Sequence, residues 1–389
     1  MRRILKRFTG LLCVLALCLS MLPMSALAAE DAPSNQPTTL LSDDNVAKIE
    51  ENEYPTLDEA VNAAEDGATI ELLADATTKG WNLTKSLTIT SAPDLAEKPT
   101  VTFEKDGIAL WGKTLTFKGI DVVMNGVGST PYGEWTWMTI CASKDAVLAL
   151  DNVNMTMDAT GSTGSPHAIY FCSNNKLNLT NGSVLTIKNY PNDALEWDGG
   201  DGGYNVNITN STFISDHNRS GFTCTFYATI TNSKVYVVNS LGNGSNGSHF
   251  IIEDSEVNFN NNGSHGLSAG ELSIDNSTVN TKNNNGMGIT VNNAFTVENG
   301  SIVTVTGNAG NSSYGYAAVR LYNDYPFTVD STSELYIEDN NNTGLYVRQG
   351  NLTVEDGAVL KITGNKVSHS LLDRYGGGIY VGYGNNYDP

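Results

Sequence analysis

The sequence predicts an all-β solenoid, a chain in which one small unit recurs and stacks on itself, and three observations lead to this fold class. Four consecutive segments repeat at a spacing of 22 residues, with the anchor residues Ile208, Ile230, Ile252 and Ile274. Apolar and polar residues alternate around each anchor in runs of strand length. Asn or Asp stands two residues after most anchors. A unit of this kind buries its apolar face only by packing on the next unit.

Each unit contains three short strands. The first two have the form h-x-h, where h is apolar, and the third begins with a small residue, as in Ala194–Trp197 and Gly344–Val347. Strict alternation turns one face of each strand inward and the other outward. Because strands pair from coil to coil in parallel, and parallel crossovers are right-handed, we predict a right-handed parallel β-helix. About 12 or 13 coils at roughly 4.8 Å each give a rod about 60 Å long.

The residue two positions after each anchor is predicted to form a tight bend between strands. Asn and Asp tolerate left-handed backbone geometry and bond to neighbouring main chain, and stacked copies form a ladder along the rod. Gly119 and Ser331 are the exceptions. The many Asn-x-Ser/Thr triplets arise from this repeat, so we interpret them as structural rather than as glycosylation sites. The predicted ladder comprises Asn152, Asn181, Asn210, Asn232, Asp254, Asn276, Asn299 and Asp356.

The first 28 residues are typical of a secretory signal peptide, with basic residues, an apolar run and a small-x-small end that places cleavage after Ala28. The protein is therefore expected to be secreted or held at the cell surface. Lipidation of Cys18 is the weaker alternative, because Leu17 stands where a small residue is required. No later run has 18 uninterrupted apolar residues, so the mature chain has no predicted membrane span.

Three further segments follow the signal peptide. Residues 29–45 are polar and contain proline, which indicates a flexible leader, and residues 46–389 form the predicted β-helix domain. A short helix over 56–66 is predicted to cover the first coil, with Thr56 and Glu59 as a capping box. The sequence stops in mid-repeat, so a C-terminal cap is missing from the prediction. End-to-end self-association or a further C-terminal module would cover that end.

Charge narrows the classes of partner. The chain has 22 Lys and Arg against 42 Asp and Glu, a net charge of −20, and removal of the signal peptide lowers it to −24. Such an acidic surface excludes nucleic acid as a partner and favours cations or neutral molecules over polyanions.

Only Cys141, Cys172 and Cys224 follow the signal peptide, and each lies in an apolar run. They are predicted to be small buried hydrophobes rather than disulfide or zinc ligands.

The chain resembles the pectin lyase-like superfamily of right-handed parallel β-helices, and within it the adhesin-like bacterial surface proteins. The resemblance rests on the entry segment YPTLDEAVNAAEDGATIELL and on the bends NITNS, TITNS and SIDNS, and it covers residues 46–389. It implies the fold. It does not choose an activity, because the superfamily contains pectate lyases, polygalacturonase-like hydrolases, tail-spike depolymerases and non-catalytic adhesins.

Catalytic residues are not predicted. A hydrolase needs paired carboxylates facing one sugar, which the coils lack, and His265 is interpreted as a polar residue at a coil corner. A lyase needs carboxylates for Ca²⁺ and a basic residue nearby, and no Lys or Arg lies between Tyr190 and Asn218. The densest acidic segment is a candidate Ca²⁺ site, with a solvated acidic loop as the alternative interpretation, and His167 is expected in the same column as Asp193 one coil earlier. Its ligands would be Asp193, Glu196, Asp198 and Asp201.

A binding surface is better supported by the sequence. The outward positions of the third strand are predicted to form an exposed column of Tyr170, Glu196, Thr223, Ser268, Thr290, Arg320, Tyr346 and Tyr380. Aromatic rings beside polar groups suit sugar or peptide contacts, although stacked tyrosines also stabilise strands without any ligand. The candidate ligand-binding residues are Tyr346, Tyr380, Arg320, Arg348, Trp135 and Trp137.

The leading hypothesis is a non-catalytic, adhesin-like protein that binds glycans or other cell-surface molecules through its strand faces. A divergent polysaccharide lyase or glycoside hydrolase is the first alternative. A rigid spacer within a larger surface protein is the second.

Overall fold

Three parallel sheets wind around one core in the computed structural model of the protein. The structure describes residues 45–130, 137–172, 174–197, 204–223, 226–308, 317–366 and 377–382. Each coil contributes one strand to each sheet, and every pairing between coils is parallel. The prediction of a right-handed parallel β-helix is therefore confirmed, and the second sheet contains twelve strands. This is the fold that the resemblance to the pectin lyase-like superfamily implies.

The strands are assigned to sheets in chain order. The first sheet contains Ala68–Leu72, Leu87–Ser91, Thr114–Lys118, Val147–Asp151, Lys176–Thr180, Tyr204–Thr209, Phe226–Thr231, Ser248–Glu253, the second half of Leu267–Asp275, Phe295–Glu298, Phe327–Val329 and Leu352–Val354. The second contains Ala76–Thr78, Thr100–Phe103, Asp121–Asn125, Asn154–Asp158, Val184–Lys188, Thr212–Asp216, Lys234–Val238, Glu256–Asn260, Thr278–Lys282, Ile302–Thr306, Glu334–Glu338 and Val359–Thr363. The third contains Trp81–Leu83, Ile108–Trp111, Met138–Ser143, His167–Phe171, Leu195–Trp197, Phe222–Thr223, Ser245–Asn246, the first half of Leu267–Asp275, Ile289–Val291, Ala317–Leu321, Thr343–Val347 and Ile379–Val381.

The anchors of the 22-residue repeat stack directly on one another. Ile208 is in register with Ile230, Ile230 with Ile252, and Ile252 with Ile274, and all four are fully buried. Leu177 and Val206, two further inward residues of the first sheet, are equally buried, while the intervening outward residues are partly exposed. The alternation read from the sequence is thus the alternation between core and surface.

The N-terminal helix covers the first coil. It comprises Leu57–Ala63, and the hydroxyl oxygen of Thr56 accepts a hydrogen bond of 3.2 Å from the backbone N–H of Glu59. The helix is shorter than the predicted range 56–66 because Ala64 is already extended. Leu57 and its neighbours on the same face pack on the core. An antiparallel hairpin of Ala47–Ile49 and Asn52–Tyr54, which the sequence analysis did not predict, precedes it.

The first bend of each coil, between the first and second sheets, uses left-handed backbone geometry. Seven of the eight predicted ladder residues have φ between 43° and 56°, from Asn152 to Asn299. Amide side chains also bond along the rod, as from Asn232 to Asn210 and from Asn276 to Asp254, both at 2.6 Å. The prediction is wrong for Asp356, because the neighbouring Gly357, at φ 102°, adopts the positive angle instead. Glycine adopts that geometry without a side-chain clash.

Two buried polar ladders were not predicted. Behind the first bend, the backbone N–H of Ser211 donates to the hydroxyl of Ser233, and Ser233 and Ser255 repeat the contact one coil on. Behind the second bend, the amide of Asn284 accepts from the backbone N–H of Asn262, and Asn284 donates its own N–H to Asn308. These side chains satisfy the backbone groups that the bends remove from the sheets.

The last described coil is open. Val354, Ile379 and Val381 are exposed, although the matching residues of earlier coils are buried, because no later described coil packs on them. Association at this end remains a prediction. No helix in the described part of the chain is both long and apolar enough to cross a membrane.

We predict that Asn284→Ala destabilises the coil. The side chain carries hydrogen bonds to the N–H of Asn262 and the carbonyl of Phe259, and its removal orphans both groups within the core. The free energy of unfolding should fall by about 2–4 kcal/mol in a urea titration. Asn285→Ala, at the exposed neighbouring position, is the control and should change stability little. Equal effects of the two variants would contradict a stabilising role for the ladder.

Candidate functional site

The outward residues of the third sheet form continuous lines. Tyr170 is in register with Glu196, and Thr290, Arg320, Tyr346 and Tyr380 follow one another in successive coils. The sequence analysis therefore identified residues that do share columns of one face.

The predicted exposure of this column is wrong for most of its members. Tyr170, Ser268, Thr290, Arg320 and Tyr346 are all buried, with at most 7 % of each residue exposed. Large side chains of adjacent coils cover one another: Tyr170 packs with Met138 and Cys141, and the guanidinium of Arg320 packs on aromatic rings. An outward position is thus not an exposed position when its neighbours are this large.

The C-terminal part of the face contains a group that we call the arginine–tyrosine cluster: Arg320, Tyr322, Tyr346, Arg348 and Tyr380. The guanidinium carbon of Arg320 lies 3.8 Å from the ring centre of Tyr322 and 5.5 Å from that of Tyr346. The guanidinium of Arg348 lies 5.7 Å from the ring centre of Tyr322. Tyr346 and Tyr380 pack with ring centres 5.1 Å apart. Cations over aromatic faces are held by the ring quadrupole.

The cluster has a buried base and an accessible rim. Arg320 and Tyr346 form the buried base, whereas Tyr322, Arg348 and Tyr380 are half-buried. A ligand on this face would meet rings already ordered by packing, which reduces the entropy lost on binding.

His265 has a structural contact at a coil corner. Its Nδ1 accepts a hydrogen bond of 3.0 Å from the backbone N–H of Met287, and its backbone N–H donates to the side chain of Asn243. Burial, and secondarily the charge of Arg320, lower the pKa of His265. A neutral imidazole that bonds to main chain fits the predicted structural role.

A second group lies nearer the N-terminus on the same sheet, and we call it the histidine–acid cluster: His167, Asp193 and Glu196. His167 begins its strand, and Asp193 occupies the matching position one coil on, next to the strand that carries Glu196. The imidazole Nδ1 of His167 contacts a carboxylate oxygen of Glu196. One ligand atom of each residue lies within 4.8 Å of the other two.

Electrostatics distinguish Asp193 from an ordinary surface acid. Burial and then the neighbouring charge of Glu196 raise the pKa of Asp193 to about 6. Ser220 and Arg219, from the next coil, act in the opposite direction. Arg219 was not predicted as a neighbour of Asp193, because it follows the segment from Tyr190 to Asn218 in which no Lys or Arg occurs. One turn of the β-helix nevertheless brings Arg219 close to Asp193.

Aromatic rings flank the histidine–acid cluster. Trp137 is 38 % exposed and meets Tyr170 and His167 edge-on, with ring centres 4.7 Å and 5.5 Å away. The candidates Trp135, Asp198 and Asp201 lie outside the described residues.

The described cysteines are not joined by a disulfide. Cys141 is buried and Cys172 is half-buried. A hydrogen bond to Cys172, with burial, raises the pKa of Cys141, so its thiol stays protonated and unreactive. The predicted role of Cys141 as a small buried hydrophobe fits these features, and Cys224 lies outside the described residues.

An open groove of about 760 Å³ runs beside the first bend and was not predicted. The loop between the first two sheets forms one wall, where the ammonium of Lys98 donates to the backbone and side-chain oxygens of Asn152 at 2.7 and 2.9 Å. Lys118 and Asp151 pair across its floor at 3.5 Å. Both lysines of the lining are thus already paired with groups of the protein.

No known family model matches the chain, and no curated protein matches it. Two crystal structures of the periplasmic alginate epimerase AlgG, of a double mutant and a single mutant, have some structural similarity to it. The double mutant is 13 % identical with a TM-score of 0.32, over 81 % of this chain and 78 % of that chain. The single mutant is 11 % identical with a TM-score of 0.25, over 81 % and 84 %. Values this low do not bear on activity or substrate.

We predict that Asp193→Asn stabilises the metal-free protein at neutral pH. The pKa of Asp193 is about 6 when folded and about 3.9 when unfolded, so folding loses stability as the pH rises from about 4 to 6. In EDTA at pH 8 the variant should gain about 1–3 kcal/mol in unfolding free energy, and the gain should vanish near pH 4. Asp356→Asn, at an exposed position, is the control. A pH-independent difference would refute the effect.

Proposed function

We propose that this protein is a non-catalytic, extracellular or cell-surface β-helix protein that binds glycans, in the manner of an adhesin, through the outer face of its third sheet. The observation that carries the proposal is the arginine–tyrosine cluster, in which two guanidinium groups and three aromatic rings occupy one face of successive coils. The extracellular location rests on the signal-peptide pattern of the first 28 residues.

The chemistry of the rim suits a sugar. A sugar ring presents an apolar C–H face, which packs on the ring of a tyrosine. It also presents hydroxyl groups, which accept hydrogen bonds from guanidinium N–H donors. Tyr322, Arg348 and Tyr380 offer both kinds of contact at one place. Because the chain is strongly acidic overall, neutral glycans are favoured over densely charged uronate polymers.

Packing explains why the face would bind without large rearrangement. Arg320 lies between the rings of Tyr322 and Tyr346, and the hydroxyl of Tyr346 donates to the carbonyl of Gly382 at 3.3 Å. The base of the cluster is thus fixed by its own contacts, and only the rim remains for a partner.

We predict that Tyr380→Ala and Arg348→Ala each weaken glycan binding about ten-fold, the loss expected for one aromatic or charged contact of about 1.4 kcal/mol. Binding is measured by calorimetry with the best glycan from an array of neutral and uronate oligosaccharides. Tyr227→Ala removes an exposed tyrosine from the first sheet and should leave affinity unchanged.

Failure of every glycan to bind, or equal binding by all three variants, would contradict the proposal. The hypothesis of a rigid spacer predicts that no glycan binds.

A divergent polysaccharide lyase is the second candidate, favoured by one observation. Asp193, with its raised pKa, lies beside Glu196 and His167 and within the field of Arg219, an acid–base set that an enzyme would use. The glycan-binding proposal expects no unsaturated products and no new reducing ends from pectin, alginate or the array glycans. Products that the wild type forms and the Asp193→Asn variant does not would contradict the non-catalytic proposal and support the lyase.

A further inference from the structure

The geometry points to a site for one divalent transition-metal ion, represented by Zn²⁺, formed by His167, Asp193 and Glu196. This site differs from the predicted Ca²⁺ site in including a histidine and in not requiring Asp198 or Asp201. It lies five coils from Arg320 on the same sheet, which is about 24 Å, so it is separate from the arginine–tyrosine cluster.

Distances support a shared ion. The three ligand atoms lie within 4.8 Å of one another. An ion with bonds of about 2.0–2.2 Å to nitrogen and oxygen holds its ligand atoms up to roughly 4.3 Å apart, so small side-chain rotations suffice. The ligands come from two adjacent coils whose strands are fixed in register, so the backbone already places them together.

Hydrogen bonding gives an independent observation. Asp193 is 98 % buried as a residue, since only 2 % of it is exposed, and its Oδ1 has no hydrogen-bond donor among the described residues. A buried carboxylate oxygen without a donor carries a large desolvation cost. A bound cation would satisfy it and would also balance the second carboxylate, that of Glu196, in the same pocket.

The donor set selects the class of ion. One imidazole nitrogen and two carboxylates suit zinc and related transition metals, whereas Ca²⁺ takes six to eight oxygen ligands. Three protein ligands leave a fourth position of a tetrahedral ion for water or for an oxygen of a bound molecule.

The test uses the full secreted chain, stripped with chelator and titrated calorimetrically with Zn²⁺, Mn²⁺ or Ca²⁺. We expect one Zn²⁺ per chain, with affinity at least about 100-fold weaker in His167→Gln and in Asp193→Asn. The matched control is His249→Gln, because His249 faces Glu271 of the next coil at 3.6 Å but forms no part of a three-ligand group among the described residues. The control should bind Zn²⁺ as the wild type does.

Co²⁺ provides a readout that a folding defect does not imitate. The wild type should develop visible d–d absorption on Co²⁺ binding, and Glu196→Gln should lose it while keeping the wild-type circular dichroism spectrum. No Zn²⁺ binding by the wild type, equal binding by His167→Gln, or binding of Ca²⁺ alone would overturn the assignment. None of these results bears on glycan binding at the arginine–tyrosine cluster, so the two proposals fail separately.

Discussion

Coil-to-coil register is the constraint on which the structure depends. Apart from the contact of the N-terminal hairpin with the first coil, the described strands find their backbone partners in neighbouring coils, so no coil is stable alone. The register is held at two levels: the buried anchors stack in the core, and the serine and asparagine ladders bond the bends of adjacent coils. A shift by one residue would turn the anchors outward and break both ladders at once.

The same register brings chemistry together. Side chains that are 26 residues apart in sequence, such as His167 and Asp193, become neighbours because they occupy matching positions in successive coils. Arg320, Tyr346 and Tyr380 become neighbours for the same reason. Coils of minimum length, from Ile208 to Ile274, carry neither cluster. Longer coils on either side carry both, so the regular part of the rod is scaffold.

Much of the fold could be predicted from the sequence because it depends on local rules. The alternation of apolar residues, the 22-residue spacing and the Asx bends report strand, coil and turn directly. The side-chain ladders were missed because Ser233 and Asn284 look like ordinary polar residues until the coils are stacked. The hairpin before the helix was missed because its short strands lack a clear alternation.

The candidate sites were predicted less well, for a physical reason. Strand position fixes which face a residue occupies, and the columns were placed accordingly, but exposure depends on the size of side chains in neighbouring coils. Arg320 and Tyr346 are therefore buried although they point outward. The pairing of His167 with Asp193 depended on loops of unequal length, whose paths the sequence does not define.

Deletion of one whole coil tests most directly the claim that register alone organises the molecule. Removal of residues 233–254 deletes one coil of 22 residues and joins Asn232 to Ser255. In this junction Asn232 takes the place of Asp254, the equivalent residue of the next coil. Small-angle X-ray scattering should show a folded rod shortened by about 4.8 Å, whereas removal of residues 233–243 should unfold or expand it. Equal scattering from the two deletions, or collapse of the whole-coil deletion, would contradict the account.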